Sequence, residues 1–381
     1  MIPVGDEGTL TLTVRMKVSP EPEVIDLLKR YRSALNYSIR KIIEHRATSL
    51  SKAHKLLYRD LREVFKFPSK IATDCYREAL SIAKSWLKNK NKGRIPTVKT
   101  LRMWLTYGQG YRIKGDTVEI TGGYKLKILG WDRRYDQYQN REARLIYRDG
   151  ETYLMITKRI PKPEPYKPLD VLAIDINEKK VVVGNHKLAV EIETPIERAI
   201  HYKELALKLQ EKYSQSKYIP WRTRRGILNR VRHFHRKAKN ILEDWARKVS
   251  HRIVMMARDY KYSISREDLT HLVNALRRLS KTHRTRLILM GYRRLCYWID
   301  WQCEKYGVPY NTVDPRGTSS YCPRCNTKLK KSGYRYLKCP GCGFEGDRDY
   351  IAVLNIRKKT LADGGLSDHP DCPVDERCGT E

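Results

Sequence analysis

Val171-Leu172-Ala173-Ile174-Asp175 is a run of four apolar residues closed by a carboxylate. A strand apolar on successive residues is buried on both faces, which places it in the middle of a sheet covered by helices. Just upstream, Pro161-Lys162-Pro163-Glu164-Pro165 is a stiff linker and marks a domain boundary. Downstream, Val181-Val182-Val183 gives a second strand after a short turn. Two helices follow, the second predicted from near Pro220 to about Tyr260. Lys261-Tyr262-Ser263-Ile264-Ser265 is a third strand, with Glu267-Asp268-Leu269 directly after it. A further helix ends at Gly307, a suitable C-terminal cap, and Val308 to Val313 returns as a strand. This half of the chain is therefore read as an α/β domain, a mixed sheet flanked by helices.

Upstream of the linker the pattern differs. Residues 9–18 alternate strictly, with Leu10, Leu12, Val14, Met16 and Val18 on one face, as in a half-buried strand. Ser19-Pro20 opens a helical region of roughly 22–90, with Val24, Leu27, Leu28, Tyr31, Leu35 and Ile42 near helical spacing. A stretch rich in glycine, tyrosine and arginine begins at about 100. It ends in a hairpin, Ala143 to Tyr147, an Asp149-Gly150 turn, then Tyr153 to Ile156. The simplest assembly is an N-terminal β-barrel with a helical insert. Trp104, Tyr107 and Tyr111 are candidates either for its core or for stacking on bases.

Charge narrows the partner. The 381 residues include 77 Lys+Arg against 43 Asp+Glu, a formal net charge of +34. Such an excess repels itself in a compact chain and is offset by a polyanion, for which nucleic acid is the usual partner. On the helix after Pro220, Ile227, Val231, Phe234, Ala238, Ile241 and Trp245 share one stripe at 100° per residue. Arg222, Arg225, Arg232, Arg236 and Lys239 fall opposite and are predicted to face phosphates. No stretch is apolar enough to cross a bilayer, and the start, Met1-Ile2-Pro3-Val4-Gly5-Asp6, has no signal-peptide pattern. A cytoplasmic, nucleoid-associated protein without a membrane partner is expected, in a compartment that keeps thiols reduced.

In that compartment Cys322-Pro323-Arg324-Cys325 and Cys339-Pro340-Gly341-Cys342, thirteen residues apart, read as a structural zinc ribbon. Four thiolates leave the ion no open position, so this zinc does no chemistry. Lys328, Lys330, Lys331, Arg335 and Lys338 make the ribbon a surface for nucleic acid, and Gly343 suits the chain reversal. Cys372 and Cys378 do not have the spacing of a second site. Asp175 and Glu267 lie at strand ends, and Asp347 and Asp349 precede the helix-like run Tyr350 to Ile356. Carboxylates are the hard ligands Mg²⁺ requires, and three can hold two ions for phosphodiester hydrolysis.

Taken in order, Ala173-Ile174-Asp175-Ile176-Asn177, Glu267-Asp268-Leu269 and the cysteine pairs followed by Asp347-Arg348-Asp349 resemble the three split RuvC motifs of the TnpB family. These are transposon-encoded relatives of the type V CRISPR effector nucleases. Pro315-Arg316-Gly317-Thr318-Ser319 also matches. The resemblance covers residues 169–356, and upstream it extends to layout alone. It implies an RNase H-like (RuvC) domain and an RNA-guided DNA endonuclease. It further implies that guide RNA from the element's end pairs with double-stranded target DNA, and that the barrel and helical insert read a short flanking motif. It makes Asp175, Glu267 and Asp349 the Mg²⁺ ligands, with Asp349 preferred to Asp347 because the family's catalytic aspartate lies directly before the helix and three residues ahead of a small residue, here Ala352. Ile351 stands where many relatives have Asn, and Asn326 where many have Gly.

The expected domains are the barrel at 1–20 and 96–165, a helical recognition insert at 21–95, the RuvC-like parts at 166–320 and 346–360, the ribbon at 321–345 and a disordered acidic tail at 361–381. One protein chain is expected per RNA. Two other functions fit the same residues: a guide-independent RNase H-like transposase or recombinase, and a non-cleaving zinc-ribbon DNA-binding regulator.

Overall fold

The computed structural model describes residues 8–90, 93–215, 217–269 and 291–364. The chain divides into two compact units, one spanning Pro3–Pro161 and the other beginning at Lys162.

In the first unit, β1 (Thr9–Val18) buries the five predicted apolar residues and exposes the alternate ones. Three helices follow: α1 (Pro22–Glu44), α2 (Leu50–Glu63) and α3 (Ser69–Lys88). The helical region breaks near Arg46 and Lys66, whose φ values of 47° and 54° lie in the left-handed region that a right-handed helix cannot continue through. Strands β2 (Leu101–Leu105), β3 (Tyr111–Lys114), β4 (Thr117–Ile120), β5 (Tyr124–Trp131), β6 (Asn140–Arg148) and β7 (Glu151–Pro161) complete one seven-stranded sheet. Its order is β2-β6-β7-β1-β5-β4-β3. The edge strands β2 and β3 are consecutive in sequence and joined by the Thr106–Gly110 turn, so the sheet curls into a barrel. The β6–β7 hairpin turns at Asp149 and Gly150, both with positive φ, the geometry a two-residue hairpin favours. Tyr111 is a core residue, whereas Tyr107 is 40% exposed.

The second unit holds β8 (Asp170–Ile176), β9 (Lys180–Gly184), β10 (Ala189–Glu193), α4 (Ile196–Lys212), α5 (Arg225–Asp259) and β11 (Tyr262–Glu267). Next come α6 (Tyr292–Tyr306), β12 (Tyr310–Val313), the short ribbon strands β13 (Lys330–Lys331), β14 (Tyr336–Lys338) and β15 (Glu345–Asp347), and finally α7 (Arg348–Gly364). The main sheet runs β10-β9-β8-β11-β12, with β8, β11 and β12 parallel and the β8-β9-β10 meander antiparallel. This is the mixed RNase H-like sheet. Leu172 and Ile174 of β8 pack against α5 and α6, while Ala173 packs with Val353 and Ile356 of α7. The continuous apolar run thus reflects helices on both faces.

Three expectations need correction. The basic helix begins at Arg225, not near Pro220, because Pro220–Thr223 forms a turn in which the Thr223 amide donates to the Pro220 carbonyl. β10 escaped the sequence reading because its five residues alternate weakly and none is fully buried. The last helix continues past Leu361, which is buried, to Gly364. The rest of the expected tail, with Cys372 and Cys378, lies outside the described residues.

Gly307 sits at φ 66°, and a Cβ there would come within 2.9 Å of the Glu164 carbonyl oxygen. Gly307→Ala is expected to lower stability by about 1–2 kcal/mol in urea melts. Gly226→Ala, near the start of α5 with open space around it, is expected to be neutral or mildly stabilising.

Candidate active site

Strand parity decides which side chains meet. Asp175 lies two residues after Ala173, so it points to the α7 face of the sheet. Ser265 of β11 lies opposite Ala173 and its hydroxyl accepts a hydrogen bond from Thr360 of α7. Two residues further along both strands, Glu267 and Asp175 are side by side on that face. Asp349 stands in the first turn of α7, where the exposed amides favour a negative charge. The Asp349 amide donates to Asp347 Oδ1 at 2.8 Å, so Asp347 caps the helix while Asp349 turns inward.

Asp175 senses the other two carboxylates. Asp175 is 8% exposed and Asp349 2% exposed. Burial first, and then the charges of Glu267 and Asp349, push the Asp175 carboxyl up to about 7. The 2.7 Å hydrogen bond from Asn177 Nδ2 and the charge of Arg348 work against this rise. Burial raises Glu267 as well, opposed chiefly by the hydrogen bond from Thr318 Oγ1 at 2.5 Å. Lys180 of β9 lies 3.3 Å from Asp349 Oδ2, and Arg335 pairs with Asp349 Oδ1. Asp349 Oδ2 is buried and, apart from that ion pair, accepts no well-aligned hydrogen bond. Carboxylates are hard oxygen donors of the kind a divalent cation takes.

Four residues here were not singled out from sequence, or were given other work. Lys180 carried no signal beyond being one of many lysines. Arg335 was read as ribbon surface, yet it is half-buried and turned onto Asp349. Thr318 was part of a matched motif without a role; its hydroxyl holds Glu267. Asn355 of α7 donates to the carbonyls of Thr318 and Tyr321, fixing the loop that carries Thr318.

The cysteine quartet is also assembled. The four sulfurs of Cys322, Cys325, Cys339 and Cys342 lie within 4.8 Å of one another. Cys322–Cys342 and Cys325–Cys339 Sγ separations are 3.5 and 3.3 Å. The edge of a zinc–thiolate tetrahedron is about 3.8 Å, so the set fits the ion with little adjustment. Hydrogen bonding with the Thr327 side chain, and then with its backbone, brings the Cys325 thiol down to about 6. Asn326 and Gly343 take φ of 58° and 74°, one in each knuckle. Asn tolerates the left-handed turn that Gly fills more freely, which explains its presence there.

The five predicted phosphate-facing residues, Arg222, Arg225, Arg232, Arg236 and Lys239, are all exposed, and among the described residues none forms an ion pair. Arg222 lies in the turn before α5, with its guanidinium 5.2 Å from the Trp221 ring centroid. None of the five lines the carboxylate cluster. No helix among the described residues is long and apolar enough to cross a membrane.

Known proteins are similar to this chain in sequence and in fold. Residues 292–356 match the family model of the Cas12f1-like TNB domain. A TnpB-like protein of Methanocaldococcus jannaschii is 28% identical over 267 residues, covering 66% of this chain and 93% of that protein. A CRISPR-associated endodeoxyribonuclease, Cas12f1 of an uncultured archaeon, is 31% identical over 71 residues, 16% of this chain and 13% of its own. Among solved structures, Cas12f1 in a complex with sgRNA and target DNA is similar in fold, with TM-score 0.58 and 14% identity over 92% of this chain and 98% of that one.

A raised carboxyl costs stability once it must ionise. Asp175 is mostly protonated in the folded metal-free chain below pH 7, whereas its ordinary value is 3.8. The penalty is absent below pH 3.8, grows between there and about 7, and is complete above, on the order of 4 kcal/mol. Asp175→Asn is therefore expected to stabilise the metal-free protein at pH 8 but not at pH 4, measured by urea melts in chelator.

Proposed function

We propose that this chain is a TnpB-like, RNA-guided DNA endonuclease with a single RuvC-type site. The observation that carries this reading is the placing of Asp175 and Glu267 on the sheet face that α7 covers, with Asp349 in the first turn of that helix. The endodeoxyribonuclease and the sgRNA–target DNA complex among its relatives support it. In this reading the three carboxylates hold Mg²⁺. Bound there, the metal supplies an activated water and positive charge at the leaving oxygen of the phosphodiester.

The chain's own residues set the geometry. Thr318 orients Glu267, and Asn355 orients the Thr318 loop. Lys180 and Arg335 neutralise Asp349 and are placed to face a scissile phosphate entering the cluster. Zinc in the cysteine quartet fixes the ribbon whose hairpin presents Arg335. The exposed cations of α5, Arg225, Arg232, Arg236 and Lys239, with Arg222 before it, track the guide RNA or target backbone. In the first unit, a cleft of about 870 Å³ is lined by Lys70, Thr73, Arg77, Gln109, Arg112 and Thr121. Side chains of this type read base edges in a groove, so this unit is assigned the short flanking motif. Sequence choice elsewhere is delegated to base pairing.

The test is to express the gene with its native flanking DNA, sequence the RNA that co-purifies, and challenge the complex with a plasmid matching that RNA. Cleavage of the matched plasmid in Mg²⁺, lost in Asp175→Ala with RNA still bound, is expected. Nicking or joining of transposon ends without RNA would replace this reading with a transposase, and binding without cleavage with a regulator. Thr318→Val is expected to weaken activity or metal affinity about 10–100-fold, with Thr318→Ser restoring it. Metal analysis is expected to return one zinc per chain, lost in Cys322→Ser.

A further inference from the structure

In the first unit, residues of β1, β3, β5, β6 and β7 line a cavity of about 190 Å³. Its floor is apolar, made by Val14, Met16, Ile113 and Ile156, and two aromatic side chains, Trp131 and Tyr107, stand in its wall. Three polar side chains, Asp136, Asn140 and Lys158, reach the same small space. An apolar slot with aromatic walls and a few convergent polar groups is the usual form of a site for a flat heterocycle.

The polar groups are not all used by the fold. Trp131 Nε1 donates to both Asp136 oxygens at 3.1 Å, which fixes the indole plane. Lys158 is 4% exposed, and its ammonium donates to the carbonyls of Tyr135 at 2.7 Å and Tyr138 at 3.2 Å. Asn140 Oδ1 is buried and accepts no hydrogen bond. Asn140 pairs in register with Lys158, just before an irregularity in the β6–β7 ladder, so its side chain is held at the cavity. An orphaned acceptor in such a slot calls for a ligand that brings an N–H donor.

The surroundings suit a nucleotide. Val14 and Trp131 also line a neighbouring groove with Arg15, Lys17, Tyr135 and Tyr153. The Arg133 guanidinium lies 4.7 Å from the Trp131 ring centroid, and that of Arg15 lies 5.0 Å from the Tyr153 ring centroid. Cations beside an aromatic slot are the pairing that holds a strand by its phosphates while a base turns inward.

We propose that this cavity receives one unpaired nucleobase of the bound RNA, stacked on Trp131 or Tyr107, with an N–H of its base-pairing edge donated to Asn140 Oδ1. The inference rests on the RNA-guided reading for the source of the base; the cavity's chemistry does not depend on it.

The purified full-length complex is probed with dimethyl sulfate and carbodiimide, which modify base-pairing edges that are free. One unpaired nucleotide is expected to be protected in the native complex and reactive in Asn140→Leu, the rest of the pattern being unchanged. Tyr107→Ala, at an exposed wall and outside the core, is expected to expose the same nucleotide. In parallel, protein stripped of nucleic acid by high salt is titrated with single-stranded RNA heptamers, an RNA duplex and free mononucleotides. Either substitution is expected to weaken heptamer binding about tenfold and leave the duplex unaffected. Tight binding of mononucleotides with the same sensitivity would make the ligand a free nucleotide and overturn the RNA assignment. If no RNA co-purifies but heptamer binding is Asn140-dependent, the RNA-guided reading fails and the cavity assignment stands. If RNA co-purifies with identical protection in both variants, and heptamer binding is unchanged, the cavity assignment is wrong.

Discussion

The structure depends on one costly arrangement: carboxylates gathered on the buried face of a sheet. Strand periodicity of two commits Asp175 and Glu267 to the face that α7 covers, and the first turn of α7 brings Asp349 near Asp175. Like charges in a poorly solvated place repel, and the upward shift of Asp175 to about 7 measures that repulsion together with burial. A fold optimised for stability alone would not keep these side chains there. Neutralising cations are what make the arrangement tolerable, and in the proposed function divalent metal supplies most of that charge.

The protein already provides part of it. Lys180 arrives from the hairpin strand next to β8, and Arg335 from the zinc-ribbon hairpin. Arg335 links two sites that sequence treats as separate. The cysteine quartet fixes a hairpin that has little apolar core of its own, and that hairpin sets a guanidinium against Asp349. The ribbon thereby shapes the surroundings of Asp349, besides carrying exposed lysines.

Much of the sheet was legible because burial on two faces, or on one, leaves a direct trace. Val171 to Ile174 and the alternation of residues 9–18 each follow from which neighbours cover the strand. The cysteine spacing was legible because metal geometry constrains local chain length. Asp175 and Glu267 could be named because they end strands, although the choice of Asp349 over Asp347 came from family resemblance; the cap made by Asp347 supplies the physical reason. Lys180, Thr318, Asn355 and the inward turn of Arg335 were not legible. Each acts through a partner distant in sequence, and nothing local distinguishes them from surface residues. The barrel cavity was hidden for the same reason, since Trp131, Asp136, Asn140 and Lys158 meet only when the sheet curls.

In the proposed function the carboxylates of Asp175, Glu267 and Asp349 form a socket for divalent metal. The most direct measurement counts Mn²⁺ bound to the RNA-free protein at pH 8 by electron paramagnetic resonance, in the native chain and in Asp349→Asn. Saturable binding in the native chain that is lost or strongly weakened in Asp349→Asn is the predicted result. Equal binding in both proteins, or none in either, would contradict the account.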